Sequence, residues 1–232
     1  MSEQSVEGTR FAMSYFCGHM VAAIDGGLWV LDTGSPASFG RQPMLRIAGD
    51  SIPVAPAYMG LDADSLSRLI GGEVTGLMGA DVLNRFDVVF DARPDCMQLQ
   101  CHGAAFELDG MALPLDSVLG VPLVQVKIDG EPHSMFFDTG ASISYFQGDG
   151  LDQHPSLGVV SDFYPGVGSF QTGTWRLPVQ VGEQALSLRV GQLPGLLGMT
   201  LALAGSAGIV GNELCVGRRV GYFARRARLV LA

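Results

Sequence analysis

Trp29-Val30-Leu31-Asp32-Thr33-Gly34-Ser35 occurs a second time, in altered form, as Phe136-Phe137-Asp138-Thr139-Gly140-Ala141-Ser142. In both copies an apolar run delivers an aspartate into a Thr-Gly turn. Val30-Leu31 and Phe136-Phe137 have the character of buried strand ends, and Gly34 and Gly140 permit backbone geometry that other residues resist. An ionised carboxylate at a buried strand end is costly unless it is paired and hydrogen-bonded. Two carboxylates presented in the same way can meet and share one proton, which predicts that Asp32 and Asp138 form one site.

The repeat extends in both directions. Upstream, Met20–Ile24, Asp25-Gly26-Gly27 and Leu28–Asp32 predict strand, tight turn, strand, and Pro122–Ile128, Asp129-Gly130 and Ser134–Asp138 predict the same. Downstream, Gly76-Leu77-Met78-Gly79 lines up with Gly208-Ile209-Val210-Gly211, each followed by a short helix and two β-rich stretches. The Asp-Thr-Gly copies are offset by 106 (138 − 32) and the Gly-x-x-Gly copies by 132 (208 − 76), so the second half is longer between these landmarks. Much of the surplus lies near Phe163–Trp175, where a Gly-rich tip between aromatic and β-branched residues predicts a β-hairpin with a mobile end.

These paired motifs resemble the active-site loops of pepsin-like and retropepsin-like aspartic proteases. The resemblance covers the chain from about Met20 to its end. It implies an all-β, bilobal, pseudo-two-fold β-barrel fold with short helices, one lobe over 1–110 carrying Asp32 and a second over 116–232 carrying Asp138. Met111–Asp116 is the expected linker, because Pro114 removes a donor. In such a family the two aspartates activate one water to hydrolyse peptide bonds, so Asp32 and Asp138 are the expected catalytic pair of an aspartic endopeptidase. Thr33, Gly34, Ser35, Thr139, Gly140 and Ala141 would build the supporting loops, the threonines bracing them across the axis. The 163–175 hairpin resembles a flap, which makes Tyr164, Gly166, Gly168, Phe170 and Trp175 the expected substrate-binding residues. The first lobe offers only a stubby hairpin over Met44–Val54, a departure from pepsin-like enzymes. The alternative is a non-catalytic or single-substrate peptide-binding module on the same fold.

A Ser35 hydroxyl can donate to Asp32 and favour its charged form, whereas Ala141 cannot do this for Asp138. That difference predicts Asp32 as the more readily ionised partner and Asp138 as the proton holder. The chemistry requires no metal and no cofactor, and the expected partner is a peptide or protein substrate. One chain supplies both aspartates, so a monomer suffices.

Composition sets outer bounds. The 232 residues are 47% hydrophobic and 16% charged, which supplies a core and argues against disorder. A net charge of −9 argues against a nucleic-acid partner. The first residues lack the apolar core of a leader peptide, which leaves the compartment undecided with the cytoplasm as default. Leu193–Val210 is uncharged, but Pro194 and four glycines interrupt it, predicting buried strand and loop rather than a membrane span. Asp64–Ile70 predicts a short surface helix. Four cysteines are too few for a disulfide scaffold, and the Cys96–Cys101 spacing leaves a local pairing open. Cys96-x4-Cys101-His102 lacks a second ligand pair for zinc and fits a strand better. His19, His133 and His154 are expected at the surface or in turns. Arg218, Arg219, Arg225, Arg226 and Arg228 form a basic C-terminal hairpin, expected as a solvated face.

Overall fold

Two Asp-Gly turns start the two halves alike. In the computed structural model, which describes residues 8–165 and 167–232, His19–Ile24 pairs with Gly27–Leu31 and Val121–Ile128 pairs with Glu131–Phe137. Asp25 and Gly26 take φ of 50° and 74°, and Asp129 and Gly130 take 51° and 87°. Positive φ at both central residues gives the turn whose twist matches a tight hairpin.

Each hairpin's second strand then runs parallel to a Gly-apolar-apolar strand. Gly27–Leu31 pairs with Gly76–Met78, and Glu131–Phe137 with Gly208–Val210. On the far side of those strands lie Phe39–Gly40 and Ser144–Phe146, both antiparallel. A Cβ on Gly76 would fall 2.2 Å from the Phe39 carbonyl oxygen, and one on Gly208 2.0 Å from that of Tyr145. Glycine is therefore required here by backbone approach.

The strands form a ten-stranded and an eight-stranded sheet, with two small hairpins beside them. Thr9–Phe16 lies inside the larger sheet, bridging Cys96–His102 and His19–Ile24, so it is a shared strand rather than an edge. The C-terminal strands cross into the first half's sheet: Arg219–Phe223 pairs with Asp87–Arg93 and with Arg228–Leu231. Met111–Pro114, expected as an irregular linker, is instead the outermost strand, paired with Arg228–Leu231. Pro114 lacks an N–H, and an edge strand tolerates that.

Few helices are present among the described residues. Ala63–Ile70 is capped by Asp62, whose Oδ1 accepts from Ser65 N–H at 2.7 Å, and is ended by Gly71 at φ 78°. It is more than a surface helix, because Ala63, Leu66 and Ile70 are buried. Gly195–Leu203 is also helical, which corrects the expectation of strand and loop. It is apolar on both faces, with Leu197 and Leu201 buried and Leu196, Met199 and Leu203 exposed, so no helical period stands out in its sequence. No helix among the described residues is long and apolar enough to cross a membrane.

The main core spans both halves, with Trp29, Phe90, Phe137 and Tyr222 among its large buried members. Arg225, Arg226 and Arg228 of the basic C-terminal hairpin are tied into the chain rather than left solvated. Arg225 and Arg226 clamp the fully buried Asp87 at 2.9 and 2.7 Å, and Arg228 pairs with Glu107 at 3.2 Å. All four cysteines are free. Cys96 and Cys101 lie five positions apart on one strand, about 17 Å at strand rise, beyond the reach of a disulfide.

Candidate active site

Matched backbone hydrogen bonds hold the two Asp-Thr-Gly loops. Asp32 N–H donates to Met78 O at 3.0 Å, and Asp138 N–H donates to Val210 O at 2.9 Å. Ala80 N–H donates to Ser35 O at 2.8 Å, as Asn212 N–H does to Ala141 O at 2.9 Å. Behind each loop a serine hydroxyl accepts from the second glycine: Gly79 N–H to Ser38 Oγ at 2.8 Å, Gly211 N–H to Ser144 Oγ at 3.0 Å. Each loop is thus seated on the strand behind it by the same set of contacts.

The two seats are joined by an exchange between threonines. Thr33 N–H donates to Thr139 Oγ1 (3.1 Å) and Thr139 N–H to Thr33 Oγ1 (3.0 Å). In turn, Thr33 Oγ1 donates to Phe137 O at 2.7 Å and Thr139 Oγ1 to Leu31 O at 2.8 Å. Both threonines are 0% exposed. Each hydroxyl accepts once and donates once, leaving no polar atom of the crossing unpaired.

This exchange brings Asp32 and Asp138 into hydrogen-bonding contact. Each faces the other loop's glycine: a Cβ on Gly34 would lie 2.3 Å from Asp138 Cγ, and one on Gly140 2.5 Å from Asp32 Cγ. Both carboxyls are enclosed by protein but open to the cleft on one side. Burial raises both pKa values, and for Asp32 the negative Asp138 raises it further, well above the ordinary carboxylate range.

The asymmetry expected from Ser35 does not form. Its hydroxyl donates to Ala37 O at 2.9 Å, and only its backbone N–H, at 2.8 Å, reaches Asp32 Oδ1. Asp138 Oδ1 accepts from both Gly140 N–H (2.8 Å) and Ala141 N–H (3.2 Å). The backbone, indifferent to the Ser/Ala difference, thus offers more donors to Asp138.

A cleft covers the pair. Its first-half wall includes Val30, Leu61, Leu66 and Leu77, and its second-half wall includes Ala141, Tyr145, Leu193 and Ile209. The hairpin Ser156–Tyr164/Gly168–Val181 contributes the end near its turn to the lining. Tyr164 and Phe170 line the cleft. Burial, then the nearby Asp138 and Asp32, push the Tyr164 phenol up to about 12, so it remains an O–H donor. Gly168 sits at the turn with φ 89° and does not touch the cleft. The expected Gly166 lies outside the described residues. Trp175 is not a cleft residue: seven positions along the strand from Gly168, about 23 Å at strand rise, it packs against the main core.

Several cleft residues escaped the sequence reading. The stubby hairpin Met44–Ile47/Asp50–Pro53 forms, but its Leu45, Ile47 and Ile52 join the main core and it contributes nothing to the cleft. A second small hairpin, Ala57–Tyr58/Leu61–Asp62, brings Tyr58 and Met59 to the cleft instead. His19, expected at the surface, is buried beside the second loop with Nδ1 2.8 Å from Gly140 O. A carbonyl only accepts, so Nδ1 carries the hydrogen. Asn212 ties the same region together, its Nδ2 donating to Gly18 O at 2.8 Å and to Thr139 O at 3.3 Å. The repeat held a clue to Asn212, which directly follows the Gly-x-x-Gly; nothing local marks His19. No protein-family model matches the sequence, and no curated protein matches it either.

Proposed function

We propose that this chain is an aspartic endopeptidase of the bilobal pepsin-like or retropepsin-like type, with Asp32 and Asp138 as its catalytic pair. The reading is carried by one observation, the reciprocal exchange between Thr33 and Thr139 that holds two Asp-Thr-Gly loops face to face with their carboxyls in contact. Two carboxyls this close and this buried share one proton. The donor count favours the charge on Asp138 and the proton on Asp32, the reverse of the sequence expectation. Asp138 then takes a proton from a water lying between the pair, and that water attacks the scissile carbonyl carbon. Asp32 donates its proton to the carbonyl oxygen as the tetrahedral intermediate forms. Collapse of the intermediate returns a proton to the leaving amine and regenerates the singly protonated pair.

Binding of an extended peptide across the pair fits the two apolar walls and the hairpin end that lines the cleft. The test is cleavage of denatured casein from pH 3 to 7 by the wild type, Asp32→Asn and Asp138→Asn, with and without a statine-type transition-state inhibitor. The expected result is cleavage that disappears in both variants and with the inhibitor. A folded wild type inactive across the range, or a single variant that keeps full activity, would overturn the proposal.

A further inference from the structure

The hairpin Ser156–Tyr164/Gly168–Val181 belongs to the second half, yet one of its side chains reaches across the aspartates to the first. Phe163 packs against the first-half apolar cluster that includes Val30, Leu61, Leu66 and Leu77. These residues also form the first-half wall of the cleft, beside the Asp pair. The ring lies 6.1 Å from that of His19, which bonds the second Asp loop.

Phe163 is held there by its neighbour. Asp162 accepts a hydrogen bond from the Tyr145 hydroxyl, which rises from the second-half wall. The other oxygen of the same carboxylate accepts from Phe163 N–H at 2.8 Å. A charge-assisted acceptor therefore ties the hairpin to the wall one residue from the ring. With the hairpin so anchored, the ring occupies space that a side chain of a bound peptide would need.

We propose that Phe163 is a specificity-determining residue: its ring fills the first-half wall, so the peptide residue that faces this wall is small, such as Gly, Ala or Ser. This inference rests on the endopeptidase reading and adds the class of peptide it takes.

The test is profiling of a synthetic peptide mixture by mass spectrometry, with wild type, Phe163→Ala and Phe163→Leu, every residue type being varied on both sides of the cut. Wild type is expected to require a small residue at one position flanking the bond. Phe163→Ala is expected to shift that position alone toward Leu, Met or Phe by about tenfold or more in kcat/KM, with Phe163→Leu in between. Continued cleavage of the small-residue peptides by Phe163→Ala shows that the variant folds. A wild type that already accepts Leu or Phe at both flanking positions overturns the inference. An active Phe163→Ala with unchanged preference does so too, as does an inactive Phe163→Ala beside an active Phe163→Leu with unchanged preference. A wild type that cuts no peptide defeats the endopeptidase reading itself, a different result from cleavage with the wrong preference.

Discussion

Replacing Thr33 with Val keeps its shape and removes its hydroxyl. The Thr139 N–H then loses its acceptor at 3.0 Å and the Phe137 carbonyl its donor at 2.7 Å, both in a region closed to water. A buried backbone group stripped of its partner costs about 1–3 kcal/mol, so Thr33→Val is expected to destabilise the fold by about 2–6 kcal/mol. Thr33→Ser keeps both bonds and gives up one buried methyl, about 1 kcal/mol. The exchange is reciprocal, so Thr139→Val should match Thr33→Val to within about 1 kcal/mol. The double Val variant should cost less than the sum of the singles, because the first loss already frees the loops from each other. Urea denaturation followed by tryptophan fluorescence reads all four variants, with the shift in midpoint interpreted at constant slope. Equal stability of the Val and Ser variants at position 33 would refute the reasoning, since the hydroxyl would then contribute nothing.

Gly140→Ala places a Cβ 2.5 Å from Asp32 Cγ and is expected to cost about 1–3 kcal/mol, whereas Gly103→Ala, with nothing within 4 Å, should change stability by less than about 0.5 kcal/mol; calorimetric melts compare the two. Asp87→Asn breaks a buried clamp on Arg225 and Arg226 and should cost about 3 kcal/mol, the low end of the range because both arginines reach solvent, measured by urea unfolding. Burial raises the carboxyl pKa of Asp32 above its unfolded value, so the folded state keeps a proton that the unfolded chain releases and stability falls as pH rises through that window. Asp32→Asn removes this loss; its Tm should exceed the wild-type value at pH 7 and converge with it toward pH 4, and a difference independent of pH would contradict the sign.

What could be read from the sequence was whatever recurs at short range. Two Asp-Gly turns, two apolar runs into Asp-Thr-Gly and two Gly-x-x-Gly segments each encode their own geometry, because positive φ and close backbone approach leave few residues able to serve. From these the β-rich class, the paired hairpins and the meeting of Asp32 with Asp138 were predictable. Even the helix at Gly195–Leu203 was implicit, since it precedes Gly208 much as Ala63–Ile70 precedes Gly76. Its uniformly apolar sequence concealed it.

Other features are decided by distant partners and leave no local mark. The Ser35 hydroxyl bonds Ala37 O rather than Asp32 because of how the loop turns, so the balance within the pair follows backbone N–H groups that every residue carries. His19 enters the site only because the hairpin it begins packs on a loop more than a hundred positions away. Met111–Pro114 is a strand because the C-terminus comes back to pair with it, and Phe163 joins the cluster that holds Leu61 and Leu66 only because the fold brings the two halves together. The sequence by itself determined the repeated parts, since their conformations depend on neighbours along the chain. Tertiary structure decided which donors, walls and rings surround the aspartates, because those contacts join residues that the chain keeps far apart.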